Sequence, residues 1–235
     1  LQKRKQSLQK SRKYALKWNV LLQNNHLPEK KILVAAGKAE EEVDATKVLA
    51  TKSSGKTGLE LAREAYRRGA QVTLLHNAVA VEACINSVHF SSADDLEKKA
   101  LAELSGGFDV FLCPAAVSDF SVEKFSQKLD SSKKISLQLS PREKLLEKVR
   151  QKFPKLTIVG FKALSGASEK ELVQKARQLL EKNSLALVIA NDVEKNPPGS
   201  DETSVVLVSK KKSVPVKGKK SVIASRVFDE LERFM

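Results

Sequence analysis

Short apolar runs alternate with longer amphipathic stretches along most of this chain. "KILVAAG", Lys31 to Gly37, is apolar and closed by glycine, as a buried strand should be. "GKTGLELAREAYRRGA" then carries Leu59, Ala62, Ala65 and Tyr66 at helical spacing and stops at Gly69. "QVTLLH", Gln71 to His76, predicts a second strand. The alternation continues with a helix over "SSADDLEKKALAELSGG" and a continuously apolar strand over Phe108–Ala116. Next come a helix opening at Pro141 in "SPREKLLEKVRQKF" and a strand over Leu156–Phe161. "SEKELVQKARQLLEKN" follows as a helix, with Ser168 and Glu171 spaced as a capping box, and "LALVIAND" is a further strand. The end differs. "SVVLVSKKKSVPVKGKK" predicts two antiparallel strands, and "SVIASRVFDELERFM" a last helix.

Strands alternating with helices predict an α/β fold: a doubly wound, mostly parallel Rossmann-like sheet with helices on both faces and a C-terminal antiparallel extension. No internal repeat is present. Ligands of such sheets sit outside the carboxyl ends of the strands. That rule singles out the loops "AAGKAEEEVD", "HNAVAVEA", "PAAVSDF", "GFKALSG" and "ANDVEKNPPGSDE".

Charge changes the picture at two places. The net charge of +14 is carried mainly by seven basic residues before residue 27 and six lysines between 209 and 220, and neither segment holds an acid. The body of the protein is therefore nearly neutral. Basic segments can grip nucleic acid, but a solvated charge run is the commoner meaning, so a nucleic-acid partner is not expected. Residues 1–30 form a basic connector in this reading, with Leu8, Ala15, Trp18 and Leu22 roughly on one helical face, and residues 31–235 form one domain. No apolar run approaches the roughly 18 residues that cross a bilayer, so no membrane partner is expected. Cys84 and Cys113 are far apart, without metal-cluster or disulfide spacing, and Cys113 reads as a core residue. A reducing, cytoplasmic setting is the expectation.

"ATKSSGKTG", Ala50 to Gly58, fits a loose phosphate-loop pattern, with Ala50 where the strict pattern has glycine. An NTPase phosphate loop joins its strand directly to its helix, whereas here Gly55 comes 18 residues after Gly37. The expected metal-binding acid at the end of a second strand is also missing. The small residues Ser53, Ser54, Gly55 and Gly58 nonetheless let backbone N–H groups at a helix N-terminus approach an anion.

Five segments, "AAG…VDATKVLATKSSGKTGLELAREAYRRGAQVTLL", "PAAVSDF", "QKLDSSKKISLQL", "GFKALS" and "LALVIANDV…GSDE", resemble phosphopantothenate–cysteine ligase in order and spacing. The resemblance covers about residues 31–235. It implies that ATP or CTP activates the carboxylate of 4′-phosphopantothenate as an acyl-nucleotidylate, which the amine of cysteine then attacks. Mg²⁺ is expected beside the phosphates, and a homodimer because the family completes its site with a partner's loop. Many bacterial relatives carry a flavin-dependent decarboxylase domain upstream. By the same resemblance Gly37, Ser53, Ser54, Gly55, Gly58, Phe161 and Asn191 are candidate nucleotide-binding residues. Ala115, Ala116, Asp119 and Lys47 are candidates for substrate binding. Lys128, Thr51 and Asp119 are the candidate catalytic residues, Lys128 as a compact cation against the phosphates.

The chain departs from the family at several of these places. Lys38-Ala39 stands for Gly-Thr after Gly37, Thr51 for Asn, Lys47 for Arg, Leu164-Ser165 for Glu-Thr, and Leu179 for a lysine, with Lys182 one turn on. Thr51 lacks the paired donor and acceptor of an amide. A non-catalytic or altered-specificity nucleotide-binding member is the alternative reading.

Overall fold

The computed structural model describes residues 27–77 and 79–234. The leader and its expected helical face lie outside the described residues. Twelve strands are present among them: β1 (Lys31–Ala36), β2 (Glu40–Glu42), β3 (Val48–Ala50), β4 (Gln71–His76), β5 (Asn86–His89), β6 (Val110–Leu112), β7 (Phe120–Val122), β8 (Leu139–Pro141), β9 (Thr157–Leu164), β10 (Leu187–Asp192), β11 (Glu202–Val208) and β12 (Ser213–Lys219). The helices are α1 (Lys56–Arg67), α2 (Ala93–Leu104), α3 (Leu145–Lys152), α4 (Glu169–Lys182) and α5 (Lys220–Leu231).

Eight strands form one sheet in the order β5-β4-β1-β6-β9-β10-β11-β12. The first six are parallel, β11 adds antiparallel to β10, and β12 adds antiparallel to β11. The chain order reverses between β1 and β6, which makes that junction the switch point where such sheets bind ligands. No helix among the described residues is long and apolar enough to cross a membrane.

Strand alternation divides the core. Ile32, Val34 and Ala36 of β1 face α1 and α5, joined there by Leu61, Ala65, Val227 and Phe228. Leu33 and Ala35 face the layer of α2, α3 and α4, with Leu96, Val149 and Ala176. Cys113 belongs to this second cluster, and burial pushes its thiol pKa up to about 12. Removing apolar surface from water on both sheet faces is the main stabilising term.

Arg68 sets the relation of α1 to α5. Just past the end of α1, its guanidinium donates to Glu64, Asp229 and Glu232 and to the Ser225 carbonyl. Burial opposes its charge, but the carboxylates of Asp229, Glu232 and Glu64 outweigh that and raise its pKa. Glu232 lies just past the end of α5, so the helices run side by side in the same direction. Their first residues, Lys56 and Lys220, therefore meet at the opposite end, at the carboxyl ends of the strands.

Two expectations are corrected. Pro141 does not open a helix: it ends β8 opposite Phe120, and α3 begins only at Leu145. The reason is tertiary, because the Arg142 N–H donates to the Asp119 carbonyl and its guanidinium is held by Asp94. The strand expected over Phe108–Ala116 is ordered as a strand only over Val110–Leu112. Beyond it the chain bends away at the switch point, where Ala116 still bridges to Lys38.

Candidate functional site at the switch point

Three glycines let the backbone close up behind the site. Gly37 follows β1 at φ +101°, and a side chain there would lie 2.5 Å from the Asn77 carbonyl oxygen. Gly55 precedes α1 at φ +72°, and its missing Cβ would sit 3.2 Å from the Gly37 Cα and 2.5 Å from Val79 Cγ1. Gly58, in the first turn of α1, would drive a Cβ to 2.5 Å from the Ala36 Cβ. Tight turn, close approach and helix-against-strand packing are the three roles of glycines in a dinucleotide-binding turn. Here the first is separated from the other two by the β2–β3 hairpin. The Gly-Lys-Thr sequence is thus the start of a helix, not a loop that leaves β1 directly.

A cleft of about 580 Å³ opens in front of these glycines. One side is the run Thr51–Gly58, the floor is Pro114, Ala116, Ala163 and Asn191, and the far side is Pro197–Ser200 with Thr203. Lys52, Lys56 and Lys220 also line it. No side chain caps α1, whose N-cap is Gly55 in the left-handed region, and its first turn contains no acid. The first N–H groups of the helix have no intrahelical partner, so this turn offers donors and partial positive charge to an anion. The Ser53 hydroxyl accepts from the Gly55 N–H at 3.3 Å and holds the turn in shape. Across the cleft, Asn196 fixes the opposite loop. Its amide donates to the carbonyls of Asp192 (2.7 Å) and Ser204 (3.1 Å), and its oxygen accepts from the Ser204 N–H and the Thr203 hydroxyl.

The candidates divide by position. Thr51, Ser53, Ser54, Gly55, Gly58, Ala116 and Asn191 line the cleft. The Thr51 hydroxyl donates to the Ala116 carbonyl at 3.3 Å, tying the hairpin exit to the loop after β6. Gly37 lies behind Gly55, and Ala115 is partly turned into the core. Phe161 lies two residues below Ala163 on the same face of β9, packed on the α1–α5 layer. Lys47 is engaged by Asp44 at 2.9 Å, and Asp119 by Lys144. Lys128 is exposed on the segment between β7 and β8. The structure does not place Lys47, Asp119 or Lys128 among the residues lining the cleft.

The departures have local explanations. Lys38, standing where the family has glycine, pairs with Glu40 at 2.9 Å and does not line the cleft. Leu179 is partly buried and packs over Gly160, a position for an apolar side chain. Lys182 pairs with Glu147 at 2.7 Å. The Ser165 hydroxyl donates to Glu194 at 2.7 Å.

Nothing in the sequence pattern singles out Lys56, Lys220 or Asn196. Asn196 lies in a loop that the strand-end rule did select. Lys220 ends a charge run, and that run is the turn after β11, then β12, then the first residue of α5, which reaches the cleft.

The β7–β8 segment is a separate feature. The Phe125 N–H donates to the Val43 carbonyl at 2.8 Å, and the Leu129 N–H to buried Asp44 at 2.9 Å. That N–H, and then the Lys47 ammonium, hold the Asp44 carboxyl well below the usual carboxylate range. Docked in this way on the hairpin, the segment exposes Phe120, Ile135, Leu137 and Leu139.

A family model described as the DNA/pantothenate metabolism flavoprotein C-terminal domain matches residues 27–235. The chain belongs to that family. It is 36% identical over 214 residues to the coenzyme A biosynthesis bifunctional protein CoaBC of Thermococcus kodakarensis, covering 89% of this chain and 52% of that protein. Its identity to the protein of the same name from Methanocaldococcus jannaschii is 32% over 207 residues, covering 87% and 51%. The chain thus spans about half the length of the curated relatives it matches. Among solved structures, the DNA/pantothenate metabolism flavoprotein of Streptococcus pneumoniae superposes with a TM-score of 0.78 at 23% identity, covering 88% of this chain and all of that one. A Cab2 variant in complex with phosphopantothenate-cysteine superposes with a TM-score of 0.73 at 17% identity, covering 94% and 89%. These likenesses agree on the doubly wound fold.

Proposed function

We propose that this domain joins cysteine to 4′-phosphopantothenate in coenzyme A biosynthesis, using ATP or CTP. The observation that carries the reading is the cleft itself: in a chain of this family, an uncapped glycine–serine helix start and three lysines converge at the switch point of the sheet. The names of the coenzyme A biosynthesis relatives and the phosphopantothenate-cysteine complex of the Cab2 variant support the same substrate class.

A carboxylate is a poor acyl donor until one of its oxygens is made a good leaving group. In this reading the phosphopantothenate carboxylate attacks the α-phosphorus of the nucleotide and pyrophosphate leaves. The amine of cysteine then attacks the acyl carbon, the nucleoside monophosphate departs, and the amine loses a proton. The N–H groups of the first turn of α1, with Lys56 and Lys220, would neutralise the phosphates as charge moves onto the leaving group. Asn191 and the Thr51 hydroxyl lie where they can orient the reacting groups, and orientation supplies much of the acceleration in such transfers. Among the described residues, no three His, Cys, Asp or Glu side chains gather where one metal ion could sit. Mg²⁺ would therefore be held chiefly by phosphate oxygens and water, and no protein residue is assigned to it.

We further propose a cytoplasmic homodimer in which the β7–β8 segment meets a second copy. That would cover Ile135, Leu137 and Leu139, and it would place Lys128 beside a partner's cleft instead of its own. Light scattering of the wild type and of Ile135→Ser/Leu139→Ser checks this, with a monomer expected for the variant. The ligase reading is tested by pyrophosphate release that requires both phosphopantothenate and cysteine. Nucleotide binding with no release, with either ATP or CTP, would overturn it in favour of a non-catalytic member.

A further inference from the structure

Lys56 and Lys220 form the wall between two hollows. Each lines the 580 Å³ cleft and also a neighbouring groove of about 430 Å³, whose other charged residues are Glu60, Arg63, Asp201 and Lys219. Lys56 Nζ donates to Asp201 Oδ1 at 2.7 Å and to the Gly199 carbonyl at 2.8 Å. Lys220 Nζ donates to the Ser200 carbonyl, and its backbone N–H to the Asp201 carbonyl at 3.0 Å. The segment Gly199–Asp201, between the far side of the cleft and the neighbouring groove, is thus fastened by the two lysines that open α1 and α5.

The charges around this fastening do not balance. Glu60 is taken by Arg63, which leaves Asp201 as the carboxylate facing Lys56, Lys219 and Lys220. Burial, and then the nearness of Lys56, hold the Lys220 pKa below its ordinary value. The hydrogen bond from Lys56, ahead of the more distant lysines, holds the Asp201 carboxyl below its own. Yet the Asp201 side chain is 84% exposed, so water competes for this pair and it is readily exchanged. A polyphosphate brings more charge and more acceptor oxygens to the same two ammonium groups than one carboxylate and two carbonyls do.

We propose that Asp201 stands in for a ligand phosphate: Lys56 and Lys220 are phosphate ligands that release Asp201 and the Gly199–Ser200 carbonyls when a nucleotide polyphosphate enters. This rests on the reading of the cleft as a nucleotide site and adds to it the two cations and the competing anion. The Gly199–Asp201 segment is then released on binding, so the far side of the cleft senses whether phosphate is present.

Calorimetric titration of the full chain with inorganic pyrophosphate and tripolyphosphate, at fixed ionic strength, tests this. Lys56→Gln and Lys220→Gln each weaken binding by roughly tenfold or more, the usual scale for losing a charge-assisted hydrogen bond. Asp201→Asn tightens it several-fold. Glu60→Gln, the same charge change in the same groove, shifts it less than twofold. Lys220→Arg keeps the charge and retains affinity, which covers a Lys220→Gln chain that fails to fold. Equal effects of Asp201→Asn and Glu60→Gln would reduce the first to bulk electrostatics and overturn the proposal, as would wild-type affinity in both glutamine variants. No ligation chemistry enters these titrations. Absent pyrophosphate release with the expected shifts sinks the ligase reading alone, and ligation with silent variants sinks this inference alone.

Discussion

The starts of α1 and α4 solve the same electrostatic problem in opposite ways. α4 follows the parallel strand β9 and α1 follows the antiparallel β2–β3 hairpin, and both leave N–H groups without intrahelical partners. At α4, Ser168 accepts from the Glu171 N–H while the Glu171 carboxylate reaches back to the Ser168 N–H, and Glu169 adds a second anion to the first turn. At α1 the N-cap is Gly55, nothing caps the turn, and its first residue is Lys56. One helix carries its own counter-anion and the other faces a cleft lined with lysines. The difference teaches where to look. A helix start that leaves itself uncapped, and adds cations, is built for an anion from outside.

The comparison is broken most severely at Gly58. Gly58→Val places a branched side chain where even a Cβ would lie 2.5 Å from Ala36 Cβ and 3.1 Å from Ala36 Cα. Helix and strand must separate, and overpacking at such a contact costs typically ~1–3 kcal/mol or more. Thermal unfolding should show a large drop in stability, with loss of nucleotide binding in whatever remains folded. Unchanged stability would mean that α1 does not pack on β1 as described.

A gentler change makes α1 resemble α4. Thr57 lines the cleft in the second position of the helix. Thr57→Asp adds a carboxylate that the helix start welcomes, worth about 0.3–1 kcal/mol at a surface site. Stability should therefore hold or rise slightly, while pyrophosphate affinity falls roughly tenfold, about 1.4 kcal/mol. A variant that is stabilised and still binds as the wild type would remove α1 from the anion site.

Much of this contrast is legible in the sequence. The Ser168–Glu171 capping box and the strands Lys31–Ala36 and Gln71–His76 emerge where sequence spacing places them, because local chemistry decides them. Of the five loops that the strand-end rule selects, "PAAVSDF", "GFKALSG" and "ANDVEKNPPGSDE" supply residues to the cleft, and "AAGKAEEEVD" and "HNAVAVEA" do not. What it could not supply was tertiary. β5 is a short edge strand whose residues Asn86–His89 are mostly exposed and polar, so no buried face marks it. The pairs β2–β3 and β7–β8 are three residues per strand, and a long-range contact, the Phe125 N–H to the Val43 carbonyl, joins the two. Pro141 suits an edge-strand end as well as a first helical turn, and the partners of Arg142 decide between them. In the site, Lys220 looks like one member of a lysine run. Only the parallel packing of α5 on α1, held by Arg68, brings it beside Lys56.

The smallest effect separates the two helix starts by pH. The Ser168 N–H and then its hydroxyl hold the Glu171 carboxyl below its ordinary value. A depressed carboxylate pKa gives stability that is present above the unfolded value, about 4.3, and is lost as pH falls through the folded one. Acid should therefore uncap α4 while leaving α1, which has no acid in its first turn, without a comparable change. Amide exchange in the first turn of α4, corrected for intrinsic rates, should quicken below about pH 4 relative to the first turn of α1. Ser168→Ala should produce the same quickening at neutral pH at a cost of about 1 kcal/mol, with pyrophosphate affinity unchanged. If pyrophosphate affinity fell with Ser168→Ala, the two starts would be coupled, and the division between a self-capped helix and a ligand-capped one would have to be redrawn.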